Sequence, residues 1–234
     1  MDAFAEAMAL LEDSAGAPDR FCEPFLTVFR VDGASVSTLG DVLGAEVIST
    51  SNADARRLDE LQIDLGEGPC WDAIRLGEPI TEVDLAGQGR TRWPAFSAAA
   101  SEDVHAASIY AFPVGVGSLR FGAVDLFTRQ PLVLTAGQTR QAATMARVIG
   151  RHLLRDAVDP ASRSDAATSR YSQRVVHQAT GIVLAQLDIT AEEAQLVIKA
   201  HAFSANRPVA EIADDIVAKR LGFHRANGEI EAVE

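Results

Sequence analysis

Apolar positions recur at helical spacing from the start of the chain, where Phe4, Met8 and Leu11 mark a short amphipathic helix over 2–13. Two apolar runs follow, 25–31 and 34–39, separated by Asp32-Gly33. An Asp-Gly dipeptide between such runs predicts a β-hairpin. A third strand is expected over 45–50. Asn52 then offers an N-cap to a helix over 52–63. In GEGPCWDAIRLGEP (66–79), Pro69 suits a first helical position and Gly77 a helix end, which predicts two turns of helix over 70–76. A short edge strand is expected over 79–84, and a short helix, interrupted by Pro94, over 91–101.

The clearest strand pattern lies at 108–114 and 119–128, around a turn with Gly115 and Gly117. Leu119, Phe121, Ala123, Asp125 and Phe127 fall on one face of the second run, and Arg120, Gly122, Val124, Leu126 and Thr128 on the other. Thr135 opens a helix to about 156, with Ala142, Met145, Val148, Ile149, Leu153 and Leu154 along its apolar stripe. AVDPASRSDAATS (157–169) reads as a linker. The last 65 residues show three helices and no strand. The first, 170–187, carries Val175, Ala179, Ile182, Val183 and Leu187 along one stripe. The second opens on Thr190-Ala191-Glu192-Glu193, a capping-box pattern. Pro208 starts the third, which presents Val209, Ile212, Ala213, Ile216 and Val217 to one side and ends at Leu221-Gly222. The polar tail past His224 is read as frayed.

At 234 residues the chain has room for a domain of about 150 residues and a smaller one. With 47% hydrophobic residues it can bury a core. Asp2 and Glu6 near the start, with no basic flank, argue against a signal peptide, and no apolar run reaches the roughly 20 residues of a membrane span. A soluble, cytoplasmic protein with no membrane partner is expected. Cys22 and Cys70 stand alone, and His105, His152, His177, His201 and His224 are scattered. No metal, no cofactor and no enzymatic motif is expected from these residues.

Net charge is −12, which disfavours a generic nucleic-acid binder. Its distribution is uneven. Residues 1–162 hold 13 basic and 23 acidic side chains, whereas 163–223 hold seven of each. An acidic front and a balanced back point to two domains with different partners.

The stretch 174–223 resembles an ANTAR domain, a three-helix RNA-binding module of bacterial transcription antiterminators. The resemblance rests on an ordered set: Gln178-Ala179-x-Gly181, Glu192-Glu193-Ala194, His201-Ala202, Asn206-Arg207, and Val209-x-x-Ile212-Ala213. Upstream, 58–85 and 107–127 resemble GAF domains, which fold as an antiparallel sheet flanked by helices and often bind a small molecule. The expected fold is therefore α+β: a GAF-like sensor (1–157), a linker (158–169), a three-helix ANTAR bundle (170–223) and a polar tail (224–234). The resemblance implies a signal-responsive antiterminator, a homodimer, that binds RNA hairpin loops. One departure stands out: many ANTAR domains have Lys where this chain has Thr180, which exchanges a phosphate contact for a hydroxyl.

The RNA-contacting candidates are Arg174, Gln178, Ala179, Thr180, Gly181, Lys199, Arg207 and Lys219. Arg174 sits one turn before Gln178, a cation beside a polar reader. The small Ala179 and Gly181 admit either a close RNA approach or close helix packing. Apart from the resemblance, Arg174 and Lys219 read by default as solvated charges. In the sensor, Cys70, Trp71, Trp93, Phe96, Tyr110, Phe112 and Phe127 read as core or as pocket lining, with Arg75 and Asp125 as polar anchors for an unidentified small molecule. A DNA-binding regulator and a protein-interaction module are the competing readings. Against the first, the third helix carries Glu211, Asp214 and Asp215.

Overall fold

Asp2 opens the first helix by accepting a hydrogen bond from the Phe4 amide at 3.2 Å, and α1 (Ala3–Asp13) turns Ala7 and Leu11 inward. A 3-10 turn (Pro18–Arg20) leads to α2 (Glu23–Val28). This helix corrects the strand expected over 25–31 and the hairpin it was to form, whereas the strand expected over 34–39 is present. Pro24 in the first turn presets a helical φ, and Phe25 is buried from one face of the short helix against Phe29, with ring centroids 6.3 Å apart. Asp32 is in no hairpin turn. Its amide donates to the Phe127 carbonyl at 2.9 Å and its carboxylate accepts from the Arg129 amide at 2.7 Å.

The chain continues as β1 (Gly33–Thr38), β2 (Glu46–Thr50), α3 (Ala53–Leu65), α4 (Pro69–Leu76) and β3 (Ile80–Glu82). Asn52 caps α3, accepting from the Ala55 amide at 2.8 Å, as its position predicts. A π turn (Leu85–Gly89) and the single turn α5 (Arg90–Arg92) precede α6 (Pro94–Asp103). The early break expected at Pro94 is present: the helical segment stops at Trp93, and Pro94 starts the second piece, where its missing N–H falls among the unpaired donors of a first turn. β4 (Ser108–Val116), β5 (Leu119–Thr128) and α7 (Ala136–Val158) complete the unit.

The five strands form one antiparallel sheet in the order β2-β1-β5-β4-β3. Both faces are covered. Leu11, Phe25, Tyr110, Phe112, Met145 and Ile149 join α1, α2 and α7 to one side. Leu58, Leu61, Trp93, Phe96, Ile109 and Phe127 join α3 and α6 to the other. β5, the middle strand, is buried from Phe121 to Thr128. α7 approaches β4 so closely that a Cβ on Gly150 would lie 2.5 Å from the Gly115 carbonyl oxygen. Buried His152 ties α7 to α1, with Nε2 2.9 Å from the Leu11 carbonyl and the ring stacked on Phe21.

The chain divides into two compact units, Met1–Arg163 and Ser164–Glu234. The structure, a computed structural model, describes residues 2–40, 42–158, 167–205, 207–226 and 229–233, and of 167–174, 226 and 229 the backbone alone. Most of the linker expected over 158–169 lies outside the described residues.

The second unit holds α8 (Ala167–Leu187), α9 (Ala191–Ser204) and α10 (Val209–Val217). Val175, Ala179, Val183 and Leu187 of α8 pack with Ala194 and Ile198 of α9 and Ile212 and Ile216 of α10. Thr190 caps α9 through a reciprocal capping box: its hydroxyl accepts from the Glu193 amide at 3.2 Å and its amide donates to Glu193 Oε2 at 2.8 Å. The frayed tail is a further correction. β6 (Gly222–Ala226) and β7 (Glu229–Val233) pair antiparallel. Phe223 anchors the pair: it is buried in the helical core, edge-on to His201 at 5.4 Å, with its amide donating to Gln186 Oε1 at 3.0 Å.

Candidate functional site

In the helical unit, the inward stripe of α8 fixes what the helix turns outward. Ala179 lies in that stripe, fully buried, and Thr180 is buried beside it with its hydroxyl donating to the Val176 carbonyl at 2.8 Å. Both are core residues, a correction to their place among the contacts. The Thr180 hydroxyl is occupied within its own helix. Gly181 behaves differently. A Cβ there would meet nothing within 4 Å, so close helix packing does not account for it. His177, Gln178, Gly181 and Leu184 are exposed, and their spacing puts them on one face of α8. Arg174 occupies the position one turn before Gln178, and its side chain lies outside the described residues.

The remaining cations separate by partner. Arg207 is not a free charge: it binds Glu211 at 3.3 Å and Asp215 at 2.8 Å. Asp215 is shared with Arg220 at 2.7 Å, and the two guanidiniums, Arg207 first, hold its carboxyl below the usual carboxylate range. Arg207, expected as a phosphate contact, has its half-exposed guanidinium shared between these two carboxylates of α10. Lys199 is half-buried on α9. Lys219 is exposed just past α10, in the left-handed region at φ 60°. Arg220 entered no sequence-based expectation.

In the sheet unit, the aromatic set does not converge on one pocket. Tyr110 and Phe112 are in the core beside α7, with the Tyr110 hydroxyl donating to the Leu132 carbonyl. Trp93, Phe96 and Phe127 are in the core on the opposite side of the sheet. These five are core, which corrects their assignment as a common lining. Cys70 and Trp71 belong to a third, smaller cluster with Leu39 and Ala123. Burial pushes the Cys70 thiol well above its usual range, and that of Cys22 up to about 12, so neither is a reactive thiolate. Arg75 is exposed and paired with Asp72 at 2.6 Å, away from the core.

Asp125 is the exception among the expected anchors. It is buried at the centre of the sheet, opposite Ser35 on β1 and Ala111 on β4. Gln62 of α3 donates from Nε2 to Asp125 Oδ2 and accepts at Oε1 from the Cys70 amide at 2.9 Å. Its carbonyl takes the Trp71 indole N–H at 2.7 Å. Gly68 makes room for this link, since a Cβ there would lie 2.5 Å from Gln62 Oε1. A second carboxyl, Asp59, comes down from α3 next to Asp125, Ser35 and Ser37. Burial raises its pKa to about 7, opposed in part by the serine hydroxyls, and burial together with the charge of Asp59 raises that of Asp125 well above the carboxylate range. Asp59 and Gln62 were missed in sequence. Their signal was phase: both fall at inward positions of a helix whose other buried residues include Ala55, Leu58 and Leu61.

Residues 165–217 match the family model described as the ANTAR domain. The C-terminal unit carries an ANTAR domain. Upstream of it, the chain is similar to the GAF domain of an Acinetobacter phosphoenolpyruvate-protein phosphotransferase, at 15% identity and TM-score 0.51, over 68% of this chain and 95% of that one. This likeness gives the sheet unit a GAF fold. A domain of a two-component sensor histidine kinase protein from Sinorhizobium meliloti 1021 aligns at 19% identity and TM-score 0.47, over 65% and 96% of the two chains. The free methionine-R-sulfoxide reductase from Neisseria meningitidis aligns at 10% and 0.48, over 69% and 91%. No curated protein matches the chain. The ANTAR match ends at residue 217, so β6 and β7 lie beyond the matched segment. Among the described residues, no helix is long and apolar enough to cross a membrane, and no three His, Cys, Asp or Glu side chains gather as a metal site.

Proposed function

We propose that the protein is a signal-responsive transcription antiterminator, in which the GAF-fold unit receives a signal and the ANTAR domain binds hairpin loops of nascent RNA. The family match over 165–217 carries this reading. The outward face of α8, with His177, Gln178 and Gly181, supports it physically: a side chain able to hydrogen-bond base edges stands beside a position with no side chain to obstruct them. Arg174, one turn earlier, and Lys199 and Lys219 are the proposed phosphate contacts. Ala179 and Thr180 support that face from behind, and Arg207 braces α10. The proposed linker, 158–169, joins the units, and a homodimer offers two RNA sites whose linkage raises effective affinity.

With seven basic and seven acidic residues in 163–223, few phosphates are neutralised. A protein that neutralises Z phosphates loses single-strand affinity with a salt slope of about −0.7Z, so a shallow salt dependence is expected. The test is filter binding of the full chain to hairpin RNAs with randomised loops, against duplex DNA of matching stem sequence. Preference for the hairpins supports the reading. Preference for the duplex supports a DNA-binding regulator.

A further inference from the structure

Four oxygen atoms in the middle of the GAF-fold unit make no hydrogen bond of good geometry: Asp59 Oδ1 and Oδ2, Asp125 Oδ1 and Ser37 Oγ. Their residues are 1%, 4% and 1% exposed. Buried polar atoms are almost always paired, so a group of four calls for a partner. Three of the four are carboxylate oxygens, which accept and, when ionised, never donate. The Gln62 amide is used at both ends, on Asp125 and on the Cys70 amide, and the Ser35 and Ser37 hydroxyls beside Asp59 are neutral, so the protein sets donors but no counter-charge against the two carboxyls. The ionisable groups acting with the pair are Glu60 on α3, Cys70 on α4 and Cys22 before α2, and none of these carries positive charge. Beside the polar atoms lies an apolar margin of half-buried Ala45, Ile63, Trp71 and Ile74, around Leu39, Cys70 and Ala123. The helix that bears Trp71 and Ile74 is bounded by Gly68 and Gly77, both at positive φ.

We propose that this is the signal site of the sensor and that its ligand is a small organic cation of the amine or guanidine type. The N–H groups of the ligand meet the oxygens of Asp59, Asp125 and Ser37, and its carbon skeleton lies against Trp71 and Ile74. Two adjacent buried carboxyls do not both ionise without a counter-charge. In the free protein they share a proton, and the cation takes its place. Binding therefore releases a proton, and affinity rises with pH. The inference rests on the sensor reading above and adds the ligand class.

The test uses the full chain and four probes of similar size: butylamine, butylguanidine, butanol and butyrate. Calorimetry and thermal melting are read between pH 6 and 8. The two cations are expected to bind and raise the melting temperature, with Kd falling by up to about tenfold per pH unit for one displaced proton. Butanol and butyrate are expected to do neither. Asp125→Asn, nearly isosteric, is expected to abolish the cation effect, and Asp59→Asn checks the same point if the first variant folds poorly. Equal shifts in wild type and variants, equal shifts by butanol, or a pH-dependent stability that no amine changes would each overturn the proposal. Hairpin binding is read in the same samples. Cation binding with no RNA binding leaves this site standing and removes the RNA reading, whereas RNA binding with no cation binding does the reverse.

Discussion

Asp59 shows how one buried side chain makes stability depend on pH. Its folded pKa of about 7 lies above its ordinary value of 3.8, so the folded state holds a proton that the unfolded chain has released between those pH values. The stability tied to that proton is complete below about pH 4 and is lost as pH rises toward 7. For a single proton the slope is about 1.4 kcal/mol per pH unit. Urea midpoints measured from pH 4 to 8 are expected to fall with rising pH, and Asp59→Asn to flatten the decline. Gly68 makes a second residue-scale case. In Gly68→Ala the new Cβ strikes Gln62 at a φ of 138°, which is expected to destabilise by about 1–3 kcal/mol. A denaturation midpoint unchanged from wild type would contradict the role given to Gln62. Of these residues only Asp125 was legible in sequence, as a charge on an apolar strand face. Asp59 and Gln62 share the phase of Ala55, Leu58 and Leu61, but a polar side chain at the edge of an apolar stripe is ordinarily solvated, and only the packing of α3 on the sheet buries them.

At the scale of elements, local chemistry was legible and tertiary context was not. The Asn52 cap, the Pro69–Gly77 helix and the Thr190 capping box depend on side chains a few residues apart, and each stands where its pattern places it. The segment 25–31 failed because a short apolar run fits a strand or a buried helical turn equally well, and packing of Phe25 decided for the helix. The hairpin after α10 was missed although Asn227-Gly228, a strong turn dipeptide, separates its two strands. Thr190→Ala is expected to cost about 1 kcal/mol of stability in the helical unit, read by thermal melting. Gly150→Ala drives a methyl into the Gly115 backbone, and is expected to cost about 1–3 kcal/mol in the sheet unit.

For the whole molecule, the chain divides into a unit with a GAF fold and one with an ANTAR domain, and the balanced charge belongs to 163–223 alone, because Glu229, Glu231 and Glu234 make the second unit acidic as well. The family motif was legible as an ordered set of residues, but the role of each was not. Ala179 belongs to the motif and is core, as is Thr180 at its unspecified position, while Arg207 belongs to it and is paired with Glu211 and Asp215. Arg207→Ala is therefore expected to lower stability more than RNA affinity. The central claim, that the outward face of α8 reads unpaired loop bases, is tested most directly by hairpin filter binding at low salt with wild type, Gln178→Ala and Arg207→Ala side by side. The account predicts a loss of about tenfold or more for Gln178→Ala and a change within about twofold for Arg207→Ala. Equal affinity of wild type and Gln178→Ala, or no hairpin binding by the wild-type chain, would contradict it.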